Sequence, residues 1–387
     1  MNILSFIFLV SLLAGGLLRI PLYKGIGIYP HDLILVVLVL FWIYRNKKQI
    51  QTRTVHFPFP FLLFFLSILI SLSVNFKPQM LSEFAEGLAY AARFFLYTIL
   101  YLIVSHTKNV SRWLMGLYSV GCVFTLLGIS QYLLYPNLRN LSYLGWDPHY
   151  YRLFSTFLDP NFAGLFILLT FILGLYMVDR FPKSIVIPMQ LILFSGLLLT
   201  LSRSSYVATI GVIIAYAYMQ RSWKILGVVA LFIGILILAP FPQRGFTPLL
   251  RMESSIARIG NWTESISLIQ KAPVFGHGFN LLRSIQDPTD MDNTQVSHAT
   301  SGVDNSVLFV LATTGLVGGA AFLFLLSFLW MQGKRLLALK RERTFGIVYL
   351  LSLVAIGIHS MFVNSLFYPW ILIWLWIMTG IAERKHS

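Results

Sequence analysis

The sequence predicts an all-α, polytopic membrane protein of about 12 transmembrane helices, with one long polar loop that carries a short amphipathic helix. Three observations predict it. The 387 residues are 57% hydrophobic and only 11% charged, whereas a soluble domain carries about 25% charged residues. Mean hydropathy is +0.76. The apolar residues are gathered into runs of roughly 15–25, each long enough as a helix to cross the hydrocarbon core. The aromatic content of 15% fits belts of Trp and Tyr at the two membrane interfaces. The single cysteine, Cys122, lies inside an apolar run, which excludes a disulfide framework and a cysteine-based metal site.

The runs fall near 3–21, 27–44, 57–75, 85–105, 112–135, 160–178, 185–201, 205–220, 223–240, 305–331, 345–363 and 366–383. The first has no Lys or Arg ahead of its apolar core, so it reads as a span rather than a cleaved signal peptide. The second is interrupted by His31 and Asp32. Basic residues gather in alternate connections: Arg45, Lys47, Lys48 and Arg53; Lys108 and Arg112; Arg180 and Lys183; Arg221 and Lys224. The same side takes the stretch from Lys334 to Arg343 and the terminal Arg384 and Lys385. The positive-inside bias makes that side, and both termini, cytoplasmic. It also accounts for the net charge of +15 without invoking nucleic acid. The opposite, extracytoplasmic side holds 136–159, a short link at Arg203, and the long loop. The chain therefore divides into spans over 1–240, the loop 241–304, and further spans with a cytoplasmic end over 305–387.

Within the loop, Arg244, Arg251, Arg258, Lys271 and Arg283 are offset by Glu253, Glu264, Asp287, Asp290 and Asp292. The cations make no diffuse positive field and must act as individually placed groups. Ile256, Ile259, Trp262, Ile266 and Ile269 recur at helical spacing, which predicts the amphipathic helix over 254–269, lying on the membrane surface. Arg251 and Arg258 are seven residues, two helical turns, apart, so one helix face could present both.

Four places carry candidate chemistry. Arg203, in Leu201-Ser202-Arg203-Ser204-Ser205, is either a snorkelling interfacial arginine or a guanidinium that clamps phosphate oxygens. In the stretch from Arg152 to Gly164, Asp159-Pro160-Asn161 is a helix start with Asp159 as its cap, while Arg152 has no such structural reason. Pro273-x-x-Gly276-x-Gly278, which encloses His277, follows the amphipathic helix and reads as a turn. Asp304-Asn305 stands where the loop re-enters the membrane. Asp304 caps the next helix on the plain reading and is a general base on the functional one. Arg93 and His359 lie inside apolar runs, where ionisable groups are functional suspects. The aspartates at 287, 290 and 292 lack calcium-loop spacing and no histidine pair has zinc spacing, so no metal is assigned.

Taken in order, these motifs resemble the O-antigen ligase and O-antigen polymerase superfamily of bacterial inner-membrane proteins. The likeness spans about residues 85–383. It rests on Arg152 with Pro160-Asn161, the Ser202-Arg203 link, the Arg258-to-Trp262 helix, Pro273-x-x-Gly276-x-Gly278, and Asn305 ahead of Gly315-x-x-Gly318. The resemblance implies a metal-independent glycosyltransferase, without a cofactor, that acts on undecaprenyl-diphosphate-linked glycan at the outer face of the membrane. The partners it implies are a glycan or lipid-linked acceptor, membrane lipids and a chain-length regulator. It implies catalytic roles for Arg203, Arg258 and Asp304, with Arg152, Arg251, Asn161, Trp262, His277, His298 and Asn305 lining the substrate site. Where ligases carry a histidine before the last Asn, this chain has Asp304. That departure leaves Asp304, or else His298 or His277, as the base, and tilts the expectation toward a polymerase, with O-antigen ligase as the alternative. A transporter or flippase would place ionisable groups near the bilayer midplane and often shows repeated halves, and no repeat is found. A non-catalytic scaffold would tolerate loss of Arg203, Arg258 and Asp304 together.

Overall fold

The computed structural model describes residues 3–23, 26–52, 58–139, 149–238, 252–282 and 302–386. Its helices, in chain order, are α1 (Ile3–Ser11), α2 (Pro30–Thr52), α3 (Phe59–Val74), α4 (Leu81–Ser105) and α5 (Val110–Leu134). There follow α6 (Pro160–Met177), α7 (Lys183–Leu199), α8 (Arg203–Met219), α9 (Leu226–Leu238) and α10 (Met252–Lys271). The last three are α11 (Ser306–Ala338), α12 (Arg343–Ser360) and α13 (Pro369–His386). Every apolar run of the sequence coincides with a helix, and α10 covers the stretch 254–269 that the sequence predicts as helical.

Among the described residues, five stretches are long and apolar enough to cross a membrane: Pro78–Ser105, Val110–Leu134, Pro160–Met177, Ser306–Ala338 and Arg343–Ser360. Ile3–Leu18, Phe59–Val74, Lys183–Leu199 and Trp223–Leu238 are apolar but shorter. The predicted first span is not one continuous α-helix. α1 gives way to a 3-10 stretch, Leu12–Leu18, at whose kink Gly15 has φ 57°. A Cβ there would meet the Thr156 carbonyl carbon and oxygen, so the chain bends to pack on that segment. The all-α expectation needs one amendment, a two-stranded antiparallel hairpin pairing Ile20–Tyr23 with Ile26–Ile28. α2 begins at Pro30, which puts His31 and Asp32 in its first turn instead of inside a span.

The core gathers around α13. Its Trp370, Trp374 and Trp376 are at most 1% exposed, as expected of a helix apolar on all sides. The Trp370 indole N–H donates to the Leu12 carbonyl at 3.0 Å and ties the chain's two ends together. α13 packs on α4, α12 packs on α8 and α6, and α11 packs on α3, α12 and α10. This arrangement sets the ends of α8, α10 and α12 beside one another.

α11 is broken once, at Gly315 (φ 65°, ψ −165°). A break deep in an apolar helix frees backbone groups that must find partners. Here they find them in the Pro273–Gly278 segment. The His277 and Gly278 N–H groups donate to the Ala312 and Thr313 carbonyls, both at 3.0 Å. The Leu316 and Val317 N–H groups donate to the Pro273 and Val274 carbonyls at 2.8 and 3.2 Å. The Ser71 hydroxyl also donates to the Thr313 carbonyl, and the Asn75 amide to the Gly276 carbonyl. The two glycine motifs therefore form one interlock, and the Pro273-x-x-Gly276-x-Gly278 turn is a scaffold element. His277 belongs to it, with Nε2 2.8 Å from the Leu268 carbonyl oxygen.

Candidate active site

The site starts from the short link between α7 and α8. Leu201 has φ 50°, so the chain turns sharply and leaves the last α7 carbonyls without helical partners. The Leu153 N–H donates to the Leu199 carbonyl at 2.9 Å. Arg152, 8% exposed, donates from Nε to the Thr200 carbonyl at 3.0 Å and from Nη2 to the Leu201 carbonyl at 3.3 Å. Arg152 thus has the structural reason that its sequence context did not reveal: it holds the link that carries Arg203. Asn161 supports the same link. Its Oδ1 accepts from the Ser202 hydroxyl at 3.0 Å, and its carbonyl accepts from Ser205 at 3.4 Å. Asp159 caps α6, as its motif predicts, by accepting from the Asn161 and Phe162 N–H groups.

From this base the first turn of α8 faces a cavity of about 250 Å³. Arg203, Ser204 and Val207 form one wall and Arg258, Ile259 and Trp262 of α10 form another, with Phe362, just past α12, between them. The structure so brings together the two arginines singled out from the sequence, although 55 positions separate them. The Trp262 indole N–H is buried and has no hydrogen-bond partner among the described residues. Val207 and Ile259 are 44% and 61% exposed, which gives the cavity an apolar open side. Guanidiniums beside an apolar lip suit a phosphorylated headgroup that trails a hydrocarbon chain.

Behind the arginine-bearing turn lies a group that sequence reasoning flagged without assigning. His359, fully buried on α12, contacts Ser204 through Nε2 at 3.0 Å and Ser365 through Nδ1 at 2.6 Å. Because Ser365 Oγ donates onward to the Val363 carbonyl, Nδ1 carries the ring proton and Nε2 accepts from Ser204. The histidine thus fixes Ser204, next to Arg203, against the 361–368 segment. Its helical position was legible, but its serine partner, 155 residues away, was not.

Asp304 is tethered to α10, the helix that supplies Arg258. The helix cap at this point is Asn305, whose Oδ1 accepts from the Val307 and Leu308 N–H groups at 2.8 and 3.1 Å. The plain reading of Asp304 as the cap is thereby corrected: the favourable geometry belongs to its neighbour. Asn305 is fully engaged, since its Nδ2 also donates to the Met361 carbonyl. The Asp304 N–H donates to Asn261 Oδ1 at 2.9 Å, but its carboxylate has no hydrogen-bond partner among the described residues. Burial pushes that carboxyl above the usual carboxylate range, the Arg258 guanidinium pulls it down and the Asp159 carboxylate pushes it up. A carboxylate held near an arginine, with raised proton affinity and unused lone pairs, has the chemistry of a general base. Arg251 and His298 lie outside the described residues.

Residues 188–323 match the family model described as O-Antigen ligase, a range that takes in Arg203, Arg258, Trp262, Asp304 and the glycine interlock. Over 324 residues the chain is 25% identical to an O-antigen ligase of Salmonella typhimurium strain LT2, covering 78% of this chain and 77% of that relative.

Proposed function

We propose that this chain, matched over residues 188–323 by the O-antigen ligase family model and 25% identical to an O-antigen ligase, is a membrane glycosyltransferase using a glycan donor linked to undecaprenyl diphosphate. The observation that carries this reading is the single cavity shared by Arg203 and Arg258, with the Asp304 carboxylate close to Arg258. In the proposed reaction an acceptor hydroxyl oxygen forms the new bond to the donor's anomeric carbon. The bond from that carbon to the diphosphate oxygen breaks, and its electron pair leaves with the lipid diphosphate. The hydroxyl proton passes to Asp304. Arg203 and Arg258 stabilise the charge that grows on the departing diphosphate, the task a divalent cation performs in other transferases. The basic connections favour an arrangement in which this site faces away from the cytoplasm of the inner membrane.

Two acceptors are compatible with the site. Asp304, in the place where ligases carry histidine, favours a growing glycan and hence a polymerase. The similarity to an O-antigen ligase favours the lipid A core. Gel analysis of surface glycans separates them. Loss of a polymerase leaves single repeat units on the core, and loss of a ligase strands full-length polymer on the carrier. In the same assay Arg203→Ala and Arg258→Ala are each expected to reproduce the deletion phenotype at normal protein level. Polymer of wild-type amount and length in both would overturn the diphosphate assignment.

A further inference from the structure

A second cavity, of about 330 Å³, is also lined by the 361–368 segment, through Asn364, Phe367 and Tyr368. Phe362 lines the first cavity and Asn364 the second. Asn161 braces the Arg203 link, and its neighbour Phe162 walls the second cavity. Asn364 Oδ1 accepts from Ser306 at 2.9 Å, two residues beyond Asp304. The 361–368 segment thus contributes to both cavities, and Asn364 ties it to Ser306, two residues past Asp304.

The lining of the second cavity is of two kinds. Phe162 and Tyr368 are stacked face to face, 3.7 Å between centroids and 2° between planes, and Phe309 adds a further ring. Among these aromatics stand Arg93, Asn280 and Asn364. Arg93 is neutralised by Asp32 at 3.2 Å and lies over the Tyr90 ring, so the cavity presents hydrogen-bonding groups without net charge. Asn280 makes no hydrogen bond among the described residues and occupies the left-handed region at φ 61°. The Asn364 amide nitrogen likewise makes none among the described residues.

A hydrocarbon chain would strand these polar groups without partners. A phosphate would lack a free cation, because the guanidinium is already paired. A pyranose ring meets both kinds of lining. Its C–H face packs on aromatic rings, and its hydroxyls bond planar amides and a guanidinium. The volume is at the lower end of ordinary ligand pockets, so it holds a short saccharide rather than a long chain.

We infer that this second cavity, lined by Arg93, Asn280 and Asn364 among aromatic rings, binds a neutral pyranose: the end sugar of the acceptor. The assignment of the sugar as acceptor rests on the transferase reading; the binding of a sugar does not. Asn280 is the specificity-determining contact, because its side chain has no structural partner to serve among the described residues.

The test is sugar-induced thermal stabilisation of the purified full chain in detergent. The probes are methyl glycosides of glucose, galactose, mannose, rhamnose and N-acetylglucosamine. At least one is expected to raise the Tm by roughly 1–3 °C at saturation, as ligand linkage requires. Asn280→Gly suits the left-handed backbone there and should keep the unliganded Tm while abolishing the shift. Asn280→Asp, a second variant that also tolerates that backbone, should reorder the preference among the glycosides. Arg203→Ala, in the other cavity, should keep the shift. The inference is overturned if no glycoside stabilises the wild type, if the shift survives in both Asn280 variants, or if Arg203→Ala removes it. Should the glycosides bind as described while the protein transfers no glycan from a lipid diphosphate, the transferase reading fails and the sugar site stands.

Discussion

Two breaks in otherwise apolar helices organise this protein, and they are put to opposite uses. At Gly315 the freed carbonyls and N–H groups are met by backbone from the 273–278 segment. At the 200–203 link the freed carbonyls of Thr200 and Leu201 are met by a side chain, Arg152. The first break, paired backbone to backbone, offers little to a ligand and locks two elements. The second is held from behind by Arg152, Asn161 and His359, which leaves its forward side, with Arg203, on a cavity. Irregular backbone in an apolar setting survives only where protein or a cavity takes it up, and these two breaks illustrate the two solutions.

The largest expected effect breaks the interlock. A Cβ on residue 315 would lie 2.3 Å from the Val274 carbonyl oxygen, at a positive φ. Gly315→Ala should therefore cost about 3 kcal/mol or more and deplete folded protein; membrane abundance and detergent Tm measure it. Normal abundance would show that the interlock is not structural. Next in size is the base. Asp304→Asn should lower the transfer rate by about 10²–10⁴-fold while abundance and Tm stay near wild type, since Asn305 supplies the helix cap. Conversely, Asn305→Ala should cost about 1 kcal/mol of stability through the lost cap, read as a lower Tm.

The smallest effect sharpens the account of Asp304. The base works ionised, so the rate should fall as pH drops through its pKa, which burial raises. Arg258 lowers that pKa. Arg258→Gln should therefore move the acid limb of the rate profile to higher pH, whatever it does to the maximum rate. A limb that keeps its wild-type position would detach Arg258 from the base.

How much of this was legible in the sequence depends on the distance over which each feature is decided. The helices were, because hydropathy over about 20 residues decides them. Arg203 was, because a cation in a short apolar link is conspicuous locally. Asp304 and Asn305 are adjacent and both cap helices well, so only the hydrogen bonds tell them apart. The glycine motifs were visible as motifs, but their interlock joins segments about 40 residues apart. The Arg152 bonds to Thr200 and Leu201, and the second cavity assembled from Tyr90 to Leu372, need the whole fold.

The central claim is that Arg203 and Arg258 grip a lipid diphosphate in one cavity, and equilibrium binding of undecaprenyl diphosphate to the purified protein tests it most directly. Each of Arg203→Ala and Arg258→Ala is expected to weaken the Kd at least tenfold, about 1.4 kcal/mol, with an unchanged Tm. Wild-type affinity in both variants would contradict it.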